Sequence, residues 1–529
     1  MSLPRERQPF WRHAASYPRD AAGARRCANI GHEEQFDSIQ EGESAPSGRR
    51  IFAVDAKTKP LLLGGDWRET AQTREVRSPY NSELLAHFSV ASREEVEEAI
   101  DAAARAAAEM RELPRHRLAE SLRFIADALE RRGEEFARTI ALEAGKPIKT
   151  ARAEAARAVM TFTYASEEAR RFTGEVVPLD GQLTGAGRTG WTERFPRGVI
   201  FGITPFNFPL NLVAHKVAPA LASRNSIIVK PSPRTPLTAL LLGEVFLEAG
   251  LPAAALQVVP MEVETIDAAL EDERVRMISF TGSAEVGWLL RERAARKTVA
   301  LELGGNAPVI VDETADLDYS VSRTALSAFS YAGQVCISAQ RILLHESIAE
   351  EFTGKLVEKA KALRAGDPLD EATEISNMID EPAARRAQGW VDEAVGAGAR
   401  LLCGGRREGS LLEATVLTDV HSEMRVCSEE VFAPVATLQS FSDFEEAIAE
   451  ANNTRYGLQA GVFTRDLARA LRAFHALEFG GVIINDSPAF RVDNMPYGGV
   501  KLSGAGREGL RYAMEEMTEP RLIVIDPRR

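Results

Sequence analysis

Three residues of this chain could together carry acyl chemistry on a thiol, and each lies where the chain turns. Cys336 follows Gly333, which ends the alanine-rich helical periodicity of residues 321–329. A thiol attacks a carbonyl carbon only as the thiolate, so its pKa must fall below the usual value of about 8.5. We expect a helix end or nearby backbone N–H groups to lower it. The alternative is a buried structural cysteine, which behaves as a small apolar residue.

Two polar residues at the ends of strand-like runs could complete this chemistry. Asn207 follows one such run and precedes a helix, so its amide could donate to a developing oxyanion. Glu302 ends another run just before Gly304, where a carboxylate could act as a general base for water. The alternatives are an asparagine that caps a helix or turn and a glutamate paired with a cation.

A third group of residues could bind phosphate. Gly282 and Ser283 end a strand-like run and begin a helix, whose free N–H groups and dipole favour an anion. The spacing to Gly287 is G-x4-G rather than G-x-G-x-x-G, so this pattern alone is weak. Lys230 ends an earlier strand, where a hydroxyl or phosphate could lie.

These residues depend on alternating strands and helices for their positions. The pattern predicts strands at residues 199–203, 226–230, 256–259, 275–280 and 298–303, with helices between them. Such alternation indicates an α/β fold with a parallel sheet, and ligands bind outside the carboxyl ends of its strands. The alternation resumes after residue 306, which predicts a second parallel-sheet domain. A β-ribbon precedes residue 197 and would be marginal by itself, so we expect it to pair with a neighbouring subunit, alongside the final strand at residues 521–525.

Composition narrows the class of protein. The chain has 529 residues, which is too long for one core, and is 45% hydrophobic and 27% charged, as in ordinary globular proteins. Its net charge of -13 argues against non-specific nucleic-acid binding. The four cysteines form no CxxC pair, which predicts a reduced cytoplasmic protein without disulfides or a metal site. No apolar run approaches the roughly 18 residues of a membrane span, so we expect no membrane partner.

Seven motifs occur in an order that is far more specific than any one of them. They are Pro205-Phe-Asn207-Phe-Pro209, Lys230-Pro-Ser232, Phe280-Thr-Gly-Ser283, Glu302-Leu-Gly-Gly305, Gly333-Gln-Val-Cys336, Glu429-Glu-Val-Phe432-Ala-Pro434 and Pro496-Tyr-Gly-Gly499. The series resembles that of the aldehyde dehydrogenase superfamily over about residues 61–525, and the chain is identified from it as a member.

The resemblance implies a domain organisation. It implies a Rossmann-like NAD(P)-binding domain, a catalytic domain, and a ribbon and terminal strand that assemble a homodimer or homotetramer. The corresponding ranges are 59–175 with 197–303, 304–505, and 176–196 with 513–529. For the residues before them, an arginine-rich start at 1–29 and an acidic stretch at 33–43 predict a disordered N-terminal extension at 1–58, and the alternative is a transit peptide.

The resemblance also implies a mechanism. The Cys336 thiolate would attack an aldehyde to give a thiohemiacetal, whose oxyanion the Asn207 amide and the Cys336 backbone N–H would hold. After hydride transfer to the nicotinamide, Glu302 would activate water to hydrolyse the thioester. Lys216 matches a family lysine thought to assist proton relay near that glutamate.

The cofactor would be NAD or NADP. Lys230 and Glu430 match residues that hold its riboses, Phe432 matches one near the nicotinamide-side ribose, and Ser283 would contact the pyrophosphate. The other cofactor-binding residues implied are Ile203, Thr204, Pro205, Ser232, Pro233, Arg234, Gly282, Gly287 and Leu303. Pro233 replaces a glutamate that would repel a 2′-phosphate, and Arg234 follows it, so NADP is plausible. The alternative is a solvated Arg234 at a helix entry.

The family's substrate pocket corresponds here to both apolar and polar residues: Asn211, Leu212, His215, Val335, Ile337, Phe490, Arg491 and Tyr497. Leu212, Val335, Phe490 and Tyr497 suggest an apolar sleeve. His215 and Arg491 instead favour a small polar or anionic aldehyde, in the branch of lactaldehyde and non-phosphorylating glyceraldehyde-3-phosphate dehydrogenases. The alternative is that His215 is a neutral core histidine and that Arg491 pairs with Asp493.

Other functions stay open at this point. A CoA-acylating dehydrogenase would share the thioester, but such relatives usually lack the glutamate at Glu302. A cysteine esterase would need a histidine base, and only the remote His215 is a candidate. A structural role would predict loss of Cys336 or Glu302, and both are present.

Overall fold

The computed structural model describes residues 58–294 and 296–528. Their largest element is an eight-stranded sheet. Its strands are β1 (Leu61–Leu63), β2 (Asp66–Arg68), β7 (Val199–Ile203), β8 (Ser226–Lys230), β9 (Leu256–Val258), β10 (Val275–Thr281), β11 (Thr298–Glu302) and β21 (Gly504–Ala505).

The strand order of this first sheet creates a ligand-binding crevice. The order is β2-β1-β9-β8-β7-β10-β11-β21, and the five adjacent strands β9, β8, β7, β10 and β11 run parallel to one another. The connections from β7 to β9 lead to one side, and β10 lies on the other side of β7. The order therefore reverses between β7 and β10, and open α/β sheets bind ligands outside the carboxyl ends of strands at such a switch point.

Burial on both faces explains why β7 and β8 are apolar throughout. Ile200 and Ile227 pack in a core with the long helices, whereas Phe201 and Ile228 pack in a second core on the opposite face. Strands covered on both sides show continuous apolar runs rather than alternation. This pattern made both strands predictable to the residue.

A second sheet of seven strands carries the other half of the fold. Its order is β14-β17-β18-β13-β12-β19-β20, and only the edge strand β14 is antiparallel. The strands are β12 (Pro308–Val311), β13 (Arg341–His345), β14 (Arg400–Cys403), β17 (Thr415–Thr418), β18 (Val435–Phe441), β19 (Gln459–Phe463) and β20 (Gly481–Ile484). The two sheets with their helices confirm the predicted α/β class.

Helices cover the sheets. They are α1 (Arg93–Glu112), α2 (Arg115–Arg131), α3 (Gly133–Ala144), α4 (Ile148–Arg171), α5 (Asn211–Ala222), α6 (Leu237–Leu247), α7 (Asp267–Glu271), α8 (Ala284–Arg293), α9 (Leu317–Phe329), α10 (Glu346–Ala362), α11 (Glu381–Gly396), α12 (Arg425–Ser428), α13 (Phe444–Asn452), α14 (Leu467–Ala476) and α15 (Leu510–Glu516). Ser92 and Glu95 form the predicted capping box of α1, and Pro114 separates α1 from α2. Among the described helices, none combines the length and apolarity needed to cross a bilayer.

The predicted ribbon forms a three-stranded sheet with the terminal strand of the same chain. Its order is β22-β6-β5, and Thr518 to Ile525 of β22 pair antiparallel with Pro196 to Thr189 of β6. The strands are β5 (Val176–Val177), β6 (Thr189–Pro196) and β22 (Thr518–Ile525), and two hairpins complete the set: β3 (Gln72–Arg77) with β4 (Leu84–Val90), and β15 (Arg407–Glu408) with β16 (Leu411–Leu412).

The predicted domain boundaries stay a prediction, with two differences in detail. β21, at residues 504–505, pairs with β11 of the first sheet although the prediction gave it to the catalytic domain. The predicted boundary at residue 513 falls inside α15. The predicted extension at 1–58 lies outside the described residues except for Thr58.

Candidate active site

The loops after β7 and β10 open onto one cavity of about 800 Å³. The cavity therefore lies at the switch point of the first sheet. Many residues predicted from the sequence line it: Pro205, Asn207, Leu212, Gly282, Ser283, Glu302, Leu303, Cys336, Glu430 and Phe432. Residues expected to act as nucleophile, base and oxyanion donor thus share one space with residues expected to bind the cofactor.

Strained backbone holds the loop that carries Cys336. Tyr331, Ala332 and Gly333 have φ values of 50°, 51° and 67°, in the left-handed region that non-glycine residues rarely occupy. A Cβ on Gly333 would lie 2.0 Å from the Ala433 carbonyl oxygen, so only glycine fits. Such strain persists where surrounding structure fixes it, as at ligand-binding and catalytic loops.

A buried ion pair packs against this loop. Lys146 is fully buried, pairs with Glu154, and lies 3.7 Å from the ring centroid of Phe208 and 4.5 Å from that of Tyr331. Tyr331 in turn donates its hydroxyl to the Ala144 carbonyl oxygen at 2.8 Å. We call Lys146, Glu154, Phe208 and Tyr331 the supporting cluster. It joins the loop of Asn207 to the loop of Cys336.

The same carboxylate begins the next helix. The second oxygen of Glu154 accepts the backbone N–H groups of Leu210 and Asn211 at 2.9 and 3.1 Å, where α5 starts. These N–H groups lack partners within a helix, so a carboxylate there satisfies them and complements the helix dipole. α5 carries both His215 and Lys216, so the supporting cluster also fixes their positions.

Asn207 binds to the backbone of the cysteine loop. Its Nδ2 donates to the Gln334 carbonyl oxygen at 3.0 Å, two residues before Cys336. Its Oδ1 is buried without a hydrogen-bond partner among the described residues. The amide retains a second N–H, so the geometry is compatible with the predicted oxyanion contact, and that role stays a prediction.

The thiol of Cys336 is neutral in its surroundings, contrary to the expected lowering of its pKa. Burial raises the pKa of the Cys336 thiol to about 11, while a hydrogen bond from Tyr497 and the charge of Arg491 act in the opposite direction. Burial disfavours the thiolate because a charged sulfur loses its hydration. The Tyr497 hydroxyl lies 3.0 Å from Sγ.

Glu302 lies in a buried group of charges at the end of β11. Burial, and then the Glu508 carboxylate, raise the pKa of Glu302 well above its usual range. Lys216 donates to Thr281 Oγ1 at 2.7 Å and lies 3.9 Å from Glu508. Burial would raise the pKa of Glu508 too, but Arg491 and Lys216 hold it at about 2.

We call Glu302, Glu508, Lys216 and Arg491 the reactive cluster. Among the described residues, Glu302 Oε2, Glu508 Oε1 and Arg491 Nε are buried without hydrogen-bond partners. Buried polar atoms are otherwise nearly always paired, so these atoms mark a place where a ligand or reacting group can bind.

The polar residues predicted for the substrate pocket form one network. Asp493 accepts from His215 at 2.8 Å, from Arg157 at 2.6 Å and from Asn211 at 3.3 Å. Burial lowers the pKa of His215, so this ring favours its neutral form. Arg157 was not predicted as a site residue.

Arg491 pairs with a different acid from the one considered in the sequence. Its guanidinium binds Glu508 at 2.7 Å, lies 3.3 Å from His215 and stacks 3.8 Å from the ring centroid of Tyr497. Pairing with Asp493 is therefore wrong, because Arg157 and His215 already occupy that carboxylate.

The apolar residues predicted for the pocket divide into three groups. Ile337 and Tyr497 pack in a small buried cluster with Leu458, against Val335 and Cys336. Leu212 lines the large cavity. Phe490 is 42% exposed and belongs neither to this buried cluster nor to the lining of the cavity. Tyr497 is also not purely apolar, since its hydroxyl reaches the thiol.

The residues present fit a dinucleotide. The Lys230 ammonium is buried at the end of β8, and burial lowers its pKa. No hydrogen bond or ion pair to another described residue satisfies that ammonium group. Burial raises the pKa of Glu430 to about 7, and its carboxylate accepts the Gly305 N–H at 3.1 Å. A Cβ on Gly304 would lie 2.0 Å from the Glu430 carboxylate, so a larger residue there would displace that side chain.

The turn after β10 has the form expected for pyrophosphate. Gly282 follows β10, Ser283 caps α8 by accepting the Val286 N–H at 3.4 Å, and Gly287 packs against Leu303. Phe432 has a left-handed φ of 52° and meets Phe206 edge to face, with ring centroids 6.0 Å apart. Ile203 ends β7, and Thr204 follows with a buried, unpaired hydroxyl among the described residues.

The segment predicted to distinguish NAD from NADP lies at the surface. Pro233 and Arg234 are exposed, whereas Ser232 is buried and accepts the Arg234 N–H at 3.2 Å. The Arg234 guanidinium binds Asp380 at 2.6 Å and stays 58% exposed. An exposed pair of this kind is weak, so the guanidinium is accessible to a competing anion.

Sequence reasoning missed several residues of this site. Glu508, Arg157 and Lys146 carry charges that are buried or half-buried and paired. Glu508 had a signal, because it is a lone acid within a glycine-rich segment at 504–509. Across residues 58–294 and 296–528, no three His, Cys, Asp or Glu side chains form a group that could hold a metal ion.

Comparisons with known proteins bear on this geometry. The aldehyde dehydrogenase family model matches residues 67–523. The chain is 45% identical over 474 residues to 3-sulfolactaldehyde dehydrogenase of Priestia aryabhattai, covering 89% of this chain and 99% of the relative.

Two solved structures are similar in fold as well as sequence. Aldehyde dehydrogenase 21 from Physcomitrella patens, in complex with the reaction product succinate, has a TM-score of 0.88 at 43% identity, covering 89% of this chain and 99% of that one. Glyceraldehyde-3-phosphate dehydrogenase GapN from Methanocaldococcus jannaschii, complexed with NADP, has a TM-score of 0.83 at 42% identity, covering 86% and 100%. The chain belongs to the aldehyde dehydrogenase family, an NAD(P)-dependent family of aldehyde-oxidising enzymes.

Proposed function

We propose that this enzyme oxidises a small anionic aldehyde to the carboxylic acid by way of a Cys336 thioester that water hydrolyses. The observation that carries the proposal is the shared cavity. Cys336, Asn207 and Glu302 line it together with the Gly282-Ser283 turn expected to bind pyrophosphate. Nucleophile, oxyanion donor, base and cofactor site are thus accessible to one bound substrate.

The chain's own residues would act in two stages. In the first, the Cys336 thiol gives its proton to water, and the thiolate sulfur forms a bond to the carbonyl carbon while the C=O electron pair moves to oxygen. The resulting oxyanion accepts hydrogen bonds from the Asn207 amide and the Cys336 N–H. Bound NAD(P) supplies the acceptor for the hydride that leaves this carbon. In the second, Glu302 takes a proton from water, which attacks the thioester and releases the acid and the Cys336 thiolate.

The raised pKa of Glu302 supports its role as base. A general base works best when its pKa is near the working pH, and burial with Glu508 moves the pKa of Glu302 upward from its ordinary value. Lys216 lies beside Glu508 and the Thr281 hydroxyl, so these groups could pass the proton onward. Among CoA-acylating relatives this glutamate is usually missing, so hydrolysis is favoured over transfer to CoA.

Charge supports an anionic substrate. Two guanidinium groups, those of Arg157 and Arg491, lie in the network predicted for the substrate pocket, and Arg491 Nε is buried without a hydrogen-bond partner among the described residues. Arg491 stacks on the ring of Tyr497, whose hydroxyl lies 3.0 Å from the Cys336 sulfur, so a guanidinium charge lies close to the thiol. The named relatives act on sulfolactaldehyde or glyceraldehyde-3-phosphate or hold succinate, all of them anionic.

The test is NAD(P)H formation by the purified enzyme on anionic, neutral polar and apolar aldehydes, with and without CoA. The anionic members are succinic semialdehyde, glyceraldehyde-3-phosphate and 3-sulfolactaldehyde; lactaldehyde, glycolaldehyde, hexanal and benzaldehyde complete the panel. We expect CoA-independent turnover that is greatest for an anionic aldehyde and is lost in Cys336→Ala. In Arg491→Ala, kcat/KM for that aldehyde should fall more than for hexanal, since general damage to the site lowers both. Turnover that requires CoA would overturn the proposal, and equal losses would exclude the anionic substrate.

We further propose that NADP serves at least as well as NAD. Pro233 leaves no acid to repel a 2′-phosphate, and Arg234 is exposed beside it. Arg234→Ala should lower kcat/KM for NADP by about tenfold or less, as expected for one exposed charge, and leave NAD unaffected. Arg385→Ala, an exposed arginine on α11 paired with Glu381, is the matched control. A strong NAD preference in the unmodified enzyme would contradict this proposal.

A homodimer or homotetramer in the cytoplasm is also proposed. β22 is the edge strand of the three-stranded sheet, and Leu522, Ile523 and Val524 on it are 57%, 44% and 47% exposed. Exposed apolar edge strands tend to pair with another chain. The absence of CxxC pairs among four cysteines supports a reducing compartment. Sedimentation of the purified protein tests the assembly, and a monomer at micromolar concentration would contradict it.

A further inference from the structure

The Tyr497 hydroxyl forms a hydrogen bond with the thiol of Cys336. It lies 3.0 Å from Cys336 Sγ, and Tyr497 is only 4% exposed. Within residues 58–294 and 296–528, neither atom makes another hydrogen bond. A thiol and a hydroxyl can each donate to the other, but a thiolate can only accept. Once Cys336 loses its proton, Tyr497 must therefore be the donor.

Three contacts fix the tyrosine. Its N–H donates to the Glu508 carbonyl oxygen at 3.0 Å, and the Glu508 N–H donates back at 2.6 Å. The Arg491 guanidinium covers one ring face at 3.8 Å and is held there by Glu508. The ring also packs with Ile337 and Leu458. A hydroxyl fixed in this way loses little freedom when it binds the sulfur.

The surrounding charges make the tyrosine a donor. Arg491 draws electron density from the ring it covers, which strengthens the O–H as a donor. Burial, followed by the Cys336 charge, raises the pKa of Tyr497 well above its ordinary value, so its proton stays in place. The charged groups that face the thiol are Arg491, which favours the thiolate, and Glu430 and Glu302, which oppose it.

Resting on the function proposed above, we propose that the Tyr497 hydroxyl is a catalytic hydrogen-bond donor that stabilises the Cys336 thiolate. It acts twice. As the sulfur forms its bond to the carbonyl carbon, the C=O electron pair moves to oxygen and the tyrosine proton stays on its own oxygen. As the C–S bond of the thioester breaks, the electron pair returns to sulfur and the same O–H stabilises the leaving thiolate. No proton or redox equivalent is exchanged with Tyr497.

Alkylation of Cys336 by iodoacetamide tests this directly. The full-length protein is treated between about pH 6 and pH 11, and the Cys336 peptide is followed by mass spectrometry, because only the thiolate reacts. Hydrogen bonds to charged groups are worth enough that Tyr497→Phe should slow alkylation at neutral pH about tenfold to a hundredfold. Below the Cys336 pKa of about 11 the alkylation rate follows the thiolate fraction, so the rate measured against pH for Tyr497→Phe should be displaced by about one to two pH units toward higher pH.

Tyr331→Phe is the matched control. It also removes a buried hydroxyl near Cys336, but that hydroxyl binds the Ala144 carbonyl oxygen rather than sulfur. We expect its alkylation rate at each pH to stay at the unmodified value, even if the variant unfolds more readily. An unchanged rate in Tyr497→Phe overturns the proposal, and so does an equal slowing in Tyr331→Phe, which would assign the effect to the loop.

The two proposals fail separately. Alkylation requires neither aldehyde nor cofactor, so it reports the Tyr497–Cys336 bond alone. If the unmodified enzyme oxidises aldehydes while Tyr497→Phe alkylates normally, only the tyrosine proposal is overturned. If alkylation slows as expected but no aldehyde is oxidised, the hydrogen bond is supported and the proposed function is overturned.

Discussion

The supporting cluster and the reactive cluster are both buried and charged, but they differ in whether their buried polar atoms have hydrogen-bond partners. In the supporting cluster, Lys146 is paired with Glu154 and stacked on two rings, and the other Glu154 oxygen accepts two backbone N–H groups. In the reactive cluster, Glu302, Glu508 and Arg491 each keep a buried atom without a partner among the described residues.

This difference indicates that one cluster fixes the positions of the loops and that the other is available for chemistry. A satisfied buried pair holds one arrangement, because breaking it leaves an uncompensated charge. A buried polar atom without a partner costs about 1–3 kcal/mol of folding free energy. The chain accepts that cost where we propose that substrate, water and protons interact, and avoids it in the cluster that joins the loop of Asn207 to the loop of Cys336.

The largest expected effect is on the activity of the reactive cluster. Glu302→Gln keeps the shape of the side chain but cannot take a proton from water, so kcat should fall about 10²–10⁴-fold. Rapid-mixing measurements should still show one equivalent of NAD(P)H formed per active site, because the thioester forms before the base is needed. Loss of this first equivalent together with kcat would contradict the assignment of Glu302 to hydrolysis.

Glu143→Gln is the control for that variant. Glu143 is also fully buried, and burial raises its pKa to about 7, but it caps the start of α6 through Leu237 and Thr238. Its replacement should lower stability and leave kcat within about twofold, since a cap contributes on the order of 1 kcal/mol.

The next largest effect is on the stability of the supporting cluster. Lys146→Met leaves Glu154 buried without its cation, which should lower the free energy of unfolding by about 3–5 kcal/mol. Urea unfolding measures it. Adding Glu154→Gln should recover part of the loss, whereas Arg93→Ala, which breaks an exposed pair with Glu97, should cost about 1 kcal/mol or less. A loss for Lys146→Met no greater than that of Arg93→Ala would show that the supporting cluster does not hold the fold.

The sequence predicted local features, such as strands and turns, better than pairings between distant parts of the chain. Continuous apolar runs identified β7, β8 and β10 almost to the residue, and Gly333 identified the turn before Cys336. These features depend on local periodicity and on single backbone conformations. β19 and the pairing of the ribbon within one chain were not predicted, because each depends on a partner far away along the sequence.

The charge partners were less predictable still. Lys146 stands in Gly145-Lys-Pro147 and looked like the end of a helical segment, yet it is fully buried. Arg491 has Asp493 two residues away but binds Glu508, since strand and turn geometry decides which acid it can reach. Pairing between side chains that are distant along the chain produces no periodic pattern in a single sequence.

The smallest effect is a pH dependence of stability. Burial and Glu508 raise the pKa of Glu302, so the native state retains a proton that the unfolded chain releases above about pH 4.3. Stability of the unmodified enzyme should therefore fall with rising pH, by up to about 1.4 kcal/mol per pH unit, until the raised native pKa is reached. Glu302→Gln lacks this titration.

The measurement is urea unfolding of both proteins at pH 5 and pH 8. The stability of Glu302→Gln relative to the unmodified enzyme should increase between the two pH values, which reflects the cost of ionising a buried carboxylate. A constant difference would mean that Glu302 titrates normally and that the reactive cluster carries no such cost.

The distances along the chain between site residues have a consequence for synthesis. The contact of Cys336 with Tyr497 spans 161 residues, and that of His215 with Asp493 spans 278. A ribosome therefore finishes the cysteine loop and its strained turn well before it makes Tyr497, Arg491 or Glu508. The nascent chain therefore carries Cys336 without the hydroxyl and the guanidinium that surround it in the folded protein, and the complete site forms only with the last tenth of the chain.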